Sequence, residues 1–195
     1  MLKRLTDILF SFIGVVILSP LLIVFAILIV FDSKGDVFYR QVRVGKGSND
    51  FILFKFRTMY INSDSKGLLT VGSRDNRITK YGHFLRKYKL DELPQLFNVL
   101  IGDMSLVGPR PEVRKYVNMY NEEQLKVLAI KPGITDYASI KYSNENELLG
   151  NTDNPEMVYI NEIMPEKLKL NLYYIKHQSF NTDIKIIFDT LKKIF

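Results

Sequence analysis

Asp91 and Glu92 stand side by side in the run Leu90-Asp91-Glu92-Leu93-Pro94-Gln95-Leu96, and a proline-flanked arginine follows in Gly108-Pro109-Arg110-Pro111. Leu93, Leu96, Phe97 and Leu100 recur at helical spacing, Pro94 fits a first turn and Gly102 ends the pattern, so the two acids fall at the amino end of a helix. An acid in that position commonly just caps, accepting orphan amide hydrogens and complementing the helix dipole. The same helix end also favours phosphate, and Arg86, Lys89 and Arg110 are close enough in sequence to face it. Amide donors and these cations are expected to keep Asp91 ionised, as a carboxylate nucleophile must be. Paired carboxylates beside a diphosphate also suit magnesium, which takes a few carboxylate oxygens together with substrate phosphate.

Arg110 can be read as a solvated residue in a stiff turn. Prolines on both sides nevertheless leave it little freedom, and a preorganised guanidinium suits a diphosphate. In Lys55-Phe56-Arg57-Thr58-Met59, strand alternation sends Lys55 and Arg57 to one face and Phe54 and Phe56 to the other. A half-exposed hairpin does this without any function, and the cationic face is compatible with a nucleotide.

The elements that must carry these residues follow from periodicity. Val37 to Val44 and Phe51 to Arg57 are short runs rich in β-branched and aromatic residues, joined through Gly45 to Asp50, and read as a hairpin. Asn62 to Asn76 is polar and glycine-bearing, a surface loop. Ile78 to Lys89 has one apolar stripe of Tyr81, Phe84, Leu85 and Tyr88 against Lys80, Arg86, Lys87 and Lys89, a basic amphipathic helix fit for a membrane interface. A helix from Glu112 to Tyr120, helical starts at Asn154-Pro155-Glu156 and Pro165-Glu166, and an amphipathic segment from Asp183 to Phe195 complete the pattern. Tyr173, Tyr174 and His177 read as core or interface residues.

The N-terminus supplies an address. From Ile8 to Phe31 the chain is almost wholly apolar, and as a straight helix it would reach about 36 Å, enough to enter a bilayer. Lys3 and Arg4 before it imitate a signal peptide, but the run is long for one and no small-residue cleavage site closes it. Pro20, after Ser19, removes a backbone donor at the midpoint, so a bend is expected there, leaving arms of about 18 Å, too short to span. Lys3 and Arg4 on one side and Lys34, Arg40, Arg43 and Lys46 on the other ask for both ends in the cytoplasm. A re-entrant segment is therefore favoured over a spanning one, although spanning helices also tolerate proline.

Composition bounds the rest. Of 195 residues, 47% are hydrophobic, and removing the apolar segment leaves about 160 residues, one compact domain. The absence of cysteine and the presence of only two histidines exclude a disulfide scaffold and argue against zinc or iron–sulfur centres. The net charge of +6 suits an anionic partner: a phospholipid surface, a nucleotide or nucleic acid. Nucleic acid is the poorest fit, because no recognised fold signature accompanies the charge and an apolar run opens the chain.

Taken in order, Lys3-Arg4 with Asp7, the Ser19-Pro20 break, Lys55 to Met59, Leu90 to Val99, Gly102 to Pro111 and Lys131-Pro132-Gly133-Ile134-Thr135 resemble the bacterial sugar transferases called monotopic phosphoglycosyl transferases. The likeness covers nearly the whole chain. It implies transfer of a sugar-1-phosphate from a UDP-sugar to polyprenol (undecaprenyl) phosphate, giving a polyprenol-diphosphate-sugar and UMP and starting a surface glycan that downstream glycosyltransferases extend. It also implies that Asp91 is the nucleophile, forming a phosphosugar ester, that Glu92 helps hold Mg2+, and that Arg110 is the family's proline-flanked arginine. The expected fold is α+β: a mostly helical monotopic membrane protein with a re-entrant helix-break-helix at residues 1–33, a short β-hairpin, and a cytosolic catalytic domain at 34–195 with interfacial helices. The expected place is the cytoplasmic face of the bacterial inner membrane, against membrane lipid, with a homodimer among the assemblies its apolar surface allows.

The sequence departs from this pattern at one point. Many relatives continue after the Pro-Gly-Ile-Thr run with glycine, tryptophan and then an Asn-Gly-Arg run implicated in the nucleotide base, whereas this chain has Asp136 to Asn144. Lys141, or stacking on Tyr142, is expected to substitute. The expected substrate-binding set is thus Lys55, Arg57, Arg86, Arg110 and Lys141. The competing reading is a non-catalytic membrane-anchored protein that binds anionic lipid or nucleotide. Such a protein would have no need of an acidic pair beside its arginines, since like charges at an anion site oppose binding unless a metal intervenes.

Overall fold

The computed structural model describes residues 2–63, 69, 71, 72 and 75–194, so much of the loop expected from Asn62 to Asn76 lies outside the described residues. The chain opens with one long helix, α1 (Leu2–Asp32), which contains Pro20. The two arms expected on either side of Ser19-Pro20 belong to one continuous helix, with helical hydrogen bonding running on past the proline. The reason is local. Pro20 has no N–H for the Val16 carbonyl, and Ser19 Oγ donates to that carbonyl at 2.8 Å.

The hairpin expected next is present as β1 (Phe38–Val44) antiparallel to β2 (Asp50–Phe56), with Phe38 opposite Phe56 and Val44 opposite Asp50. Helix α2 (Lys80–Lys87) follows, N-capped by Thr79, whose side chain accepts from the Gly82 amide. Lys89 then takes a left-handed backbone, φ +55°, which turns the chain sharply into a short 3-10 turn, Leu90–Glu92. Helix α3 (Gln95–Ile101) begins after Pro94 and ends at Gly102, φ +103°. Asp91 and Glu92 therefore precede α3 by a turn instead of capping it, because Pro94 occupies the cap and donates nothing.

Strand β3 (Ser105–Val107) pairs in parallel with β4 (Gly133–Thr135), a pairing that periodicity over such short runs did not disclose. Between them lie α4 (Arg114–Val117), shorter than the helix expected from Glu112 to Tyr120, and α5 (Glu122–Leu125) with an Asn121 capping box. The C-terminal part is helical: α6 (Tyr137–Lys141), α7 (Glu145–Gly150), α8 (Pro155–Val158), a π-helical turn at Tyr159–Ile163, α9 (Met164–Lys176) and α10 (Phe180–Ile194).

Two arginines fasten α1 to the rest. Arg4 donates to the Val99 and Leu100 carbonyls and so caps the C-terminal end of α3, while Arg57 donates to the Ser33 carbonyl at 2.7 Å and the Asp36 carbonyl at 2.6 Å and caps α1 itself. Near the other end of α1, Asp7 is buried and accepts from Ser105 Oγ and the Leu106 amide, both at 3.1 Å. Phe25 and Ile29 of α1 pack with Phe56 and Leu85 in one core cluster; a second gathers Val113, Tyr116, Leu149, Tyr159 and Leu168 around the C-terminal helices. Both ends of a helix about 46 Å long are thus held by the same body of protein. Its other face is apolar and exposed, as at Leu9, Phe12, Ile17, Ile27 and Phe31.

Candidate active site

The turn after α2 delivers both carboxylates to one cavity of about 1240 Å³, which Lys55, Arg86, Lys89 and Arg110 also line. The two acids have opposite surroundings. Glu92 accepts from both terminal nitrogens of Arg110, with Arg110 Nη1 at 3.0 Å, and from Lys55 Nζ at 3.0 Å. Burial alone would push its carboxyl up, yet Arg110 and Lys55 carry it well below the usual range. Asp91 is buried too, but among the described residues its carboxylate accepts no hydrogen bond. Burial therefore pushes Asp91 up; Lys55, Arg86 and Lys89 pull the other way, and neighbouring Glu92 adds to the rise. The 3-10 turn aims no amide at Asp91, so of the two influences expected to favour its ionised form the cations are present and the helix-end amides are not.

The cations are themselves positioned. Lys55 sits on β2 and is lowered by burial, with Glu92 opposing. Arg86 Nε donates to Thr58 Oγ1 at 2.9 Å, which fixes its place in the cavity wall. The Arg110 loop is set by β4: the Gly108 amide donates to the Thr135 carbonyl at 3.1 Å, and the Gly133 amide to the Pro109 carbonyl at 2.9 Å. Asp136, fully buried, completes this frame by accepting from the Arg110 amide at 3.1 Å and the Ser139 amide at 2.6 Å. Sequence reasoning passed over Asp136 as a departure from the family pattern; an acid three residues before Ser139 at a helix start was the available signal.

Two of the expected binding residues are used elsewhere. The Arg57 guanidinium is spent on carbonyls at the end of α1, so it is a structural cap although it borders the cavity. Strand alternation does send Lys55 and Arg57 to the same side, but the end of α1 stands over the outer one. Lys141 lies outside the cavity lining, with Nζ 3.4 Å from Glu166 and over the Tyr142 ring. Tyr142 lines the cavity; the lysine points along α6 to α9. Tyr174 is fully buried and donates to Asp183 at 2.6 Å, as a core residue would, while Tyr173 stacks on His177 at the surface.

Among the described residues no group of three or more His, Cys, Asp and Glu side chains gathers as a metal site. The adjacent carboxylates Asp91 and Glu92 still fit magnesium. They are hard oxygen donors, Asp91 has no hydrogen-bond donor of its own, and magnesium keeps waters and substrate phosphate as its remaining ligands. The cavity is amphiphilic in outline. Phe10, Gly14 and Leu18 of α1 and Ile187 and Leu191 of α10 line it together with the charged cluster.

Comparison with known proteins gives the chain a family. The family model described as bacterial sugar transferase matches residues 1–195. A UDP-N-acetylgalactosamine-undecaprenyl-phosphate N-acetylgalactosaminephosphotransferase of Aeromonas hydrophila is 38% identical over 99% of this chain and 43% of its own length. A UDP-glucose:undecaprenyl-phosphate glucose-1-phosphate transferase of Klebsiella pneumoniae is 39% identical over 99% of this chain and 40% of its own. This chain thus spans about two fifths of these two relatives. An uncharacterized sugar transferase of Bacillus subtilis is 39% identical over 99% of this chain and 87% of its own length. With the family model matched end to end, this chain belongs to the bacterial sugar transferases.

Proposed function

We propose that the protein transfers a sugar-1-phosphate from a UDP-sugar to polyprenol phosphate, with Asp91 as the nucleophile. The observation that carries this is the asymmetry of the acid pair: Glu92 is tied to Arg110 and Lys55, while Asp91 is buried without a hydrogen bond among cations. A carboxylate oxygen that no hydrogen-bond donor engages keeps its lone pairs available for attack once ionised. An oxygen of Asp91 attacks the sugar-bearing phosphorus, the bond between that phosphorus and the bridging oxygen breaks, and UMP leaves with the electron pair. The product is an aspartyl phosphosugar ester. An oxygen of polyprenol phosphate then attacks the same phosphorus, the ester bond breaks, and Asp91 regains its carboxylate. Neither step needs a proton relay, so charge neutralisation replaces histidine chemistry.

Lys55, Arg86 and Lys89 offset the charge that builds near Asp91, and Arg110 holds Glu92 in place. Asp91 and Glu92 would hold a magnesium ion, which when bound supplies positive charge to the diphosphate oxygens. The apolar lining of the cavity suits a polyprenyl chain and the charged cluster its phosphate, so the lipid head stays at interface depth, a gain in proximity. Helix α1 then lies re-entrant in the cytoplasmic leaflet of the inner membrane. Its support is that both its ends are hydrogen-bonded to one body of protein, and that Lys3 and Arg4 and then Lys34 and Arg40 flank it. Residues 34–195 form the cytosolic catalytic domain, and the lipid-linked product feeds downstream glycosyltransferases in surface glycan assembly.

The test is UMP release from a panel of UDP-sugars with magnesium and undecaprenyl phosphate, beside Asp91→Asn. Release by the wild type and none by the variant is expected, with a phosphosugar adduct on Asp91 by mass spectrometry when the lipid is withheld. Full activity in the variant would refute the aspartyl step, and lipid binding without UMP release from any donor would favour the binding-protein reading.

A further inference from the structure

Three buried side-chain atoms among the described residues lack a hydrogen-bond partner: Gln95 Nε2, Ser139 Oγ and Asn171 Oδ1. Folded proteins rarely leave such atoms orphaned, and each calls for a cause. Ser139 and Asn171 line the cavity that holds Asp91; Gln95 does not. Asn171 is only 5% exposed, so ordinary surface hydration does not serve its amide. Ser139 on α6 and Asn171 on α9 belong to helices packed against each other. Tyr142 and Asn146 line the cavity with them. Asn171 Oδ1 can only accept a hydrogen bond and Ser139 Oγ can accept one, so the partner they call for is an N–H or O–H and not an ionised phosphate oxygen, which suits the uncharged part of a substrate.

We infer that Asn171 and Ser139 are specificity-determining residues that hydrogen-bond the neutral N–H and O–H groups of the nucleotide-sugar. This assignment rests on the transferase reading above. A site built to pair such groups discriminates strongly, because a donor lacking them leaves the side chains unpaired.

The experiment uses the full chain in lipid, with UDP-glucose and UDP-N-acetylgalactosamine as donors and UMP as a competitive inhibitor. Asn171→Leu replaces an orphaned amide by an apolar side chain of similar size, and Ser139→Ala only removes a hydroxyl, so both variants should keep the wild-type melting temperature. Each is expected to raise KM for the preferred donor about tenfold or more, with kcat within about threefold. If UMP inhibition weakens in parallel, the partner is the nucleoside; if UMP inhibition is unchanged while the donor KM rises, it is the sugar. Unchanged KM in both variants, or a fall in kcat alone, overturns the inference while leaving the transferase reading intact. Absence of UMP release by the wild type overturns both.

Discussion

Neutralising the two adjacent acids in turn should have opposite effects on stability, although both are buried and both substitutions are isosteric. In Glu92→Gln, one of the two oxygens that meet Arg110 and Lys55 becomes an NH2, so a donor faces donors and three charge-assisted bonds are weakened at once. Breaking a buried ion pair from one side costs about 3–5 kcal/mol. At about 2–4 °C per kcal/mol for a chain of this size, the melting temperature should fall by about 6–20 °C. Asp91→Asn loses no hydrogen bond. The fold already favours the neutral form of Asp91, since burial and Glu92 outweigh Lys55, Arg86 and Lys89, so an uncharged amide is favoured for the same reason.

Its melting temperature at neutral pH should be unchanged or higher. The signs separate further with pH. Glu92, held low, contributes stability that is complete above its unfolded value of about 4.3 and is lost only as pH falls through its depressed folded value. Asp91, held high, contributes stability that is complete below its unfolded value of about 3.9 and is lost as pH rises through its raised folded value. Circular dichroism melts of the full chain in nanodiscs, with a chelator present, measure both. A loss in Asp91→Asn as large as that in Glu92→Gln would refute the reasoning, because Asp91 would then be a structural partner and not a desolvated nucleophile.

Further outcomes follow from the same geometry. Because the Asp91 anion is the attacking form and burial raises its pKa, the acidic limb of kcat/KM for UMP release should lie above the ordinary aspartate value of about 3.9 and move to lower pH as magnesium is increased. Gly133→Ala should abolish transfer, since a Cβ there would collide with the backbone of Gly108 and separate β3 from β4, displacing Arg110; a melt alongside UMP release tells misfolding from misplacement. Lys141→Ala should leave KM for the nucleotide sugar within about twofold, since Lys141 is an exposed partner of Glu166. Arg57→Gln should destabilise the chain by about 2 kcal/mol or more by uncapping α1, with KM for the donor unchanged in the folded fraction, measured by melt and by steady-state kinetics.

The legible parts of this molecule were those written in local pattern. The hairpin, α2, the Gly102 stop, the C-terminal helices and the acid pair all announce themselves through alternation, helical spacing or turn chemistry. The parts that escaped depend on partners distant in sequence. The parallel pairing of β3 with β4 joins two three-residue strands, too short for any periodicity to register, yet it sets the Arg110 loop. Lys55 and Arg57 share a face and look equivalent; only the arrival of the α1 terminus, more than twenty residues earlier in the chain, assigns one to the acid pair and the other to a helix cap. Pro20 is the reverse case, since the carbonyl it leaves without an amide donor is met locally by Ser19.

The same asymmetry of partners bears on the order of events. If Asp91 and Glu92 were equally free, either could attack, and the two phosphorylated substrates could compete for two anchoring modes. Arg110 and Lys55 remove Glu92 from that role by engaging both its oxygens, which leaves Asp91 as the unengaged member of the adjacent pair in the cavity. On the proposed chemistry, one nucleophile must then serve both half-reactions, and the phosphorus that leaves UMP is the one that polyprenol phosphate must reach. Both phosphorylated groups would draw on the same cations that line the cavity, so on this chemistry UMP has to depart before the lipid phosphate takes its place beside them. Initial-rate patterns should accordingly be parallel and not intersecting when both substrates are varied. Intersecting lines would mean that both substrates occupy the cavity together, which a single cluster built from Lys55, Arg86 and Lys89 around one carboxylate does not accommodate.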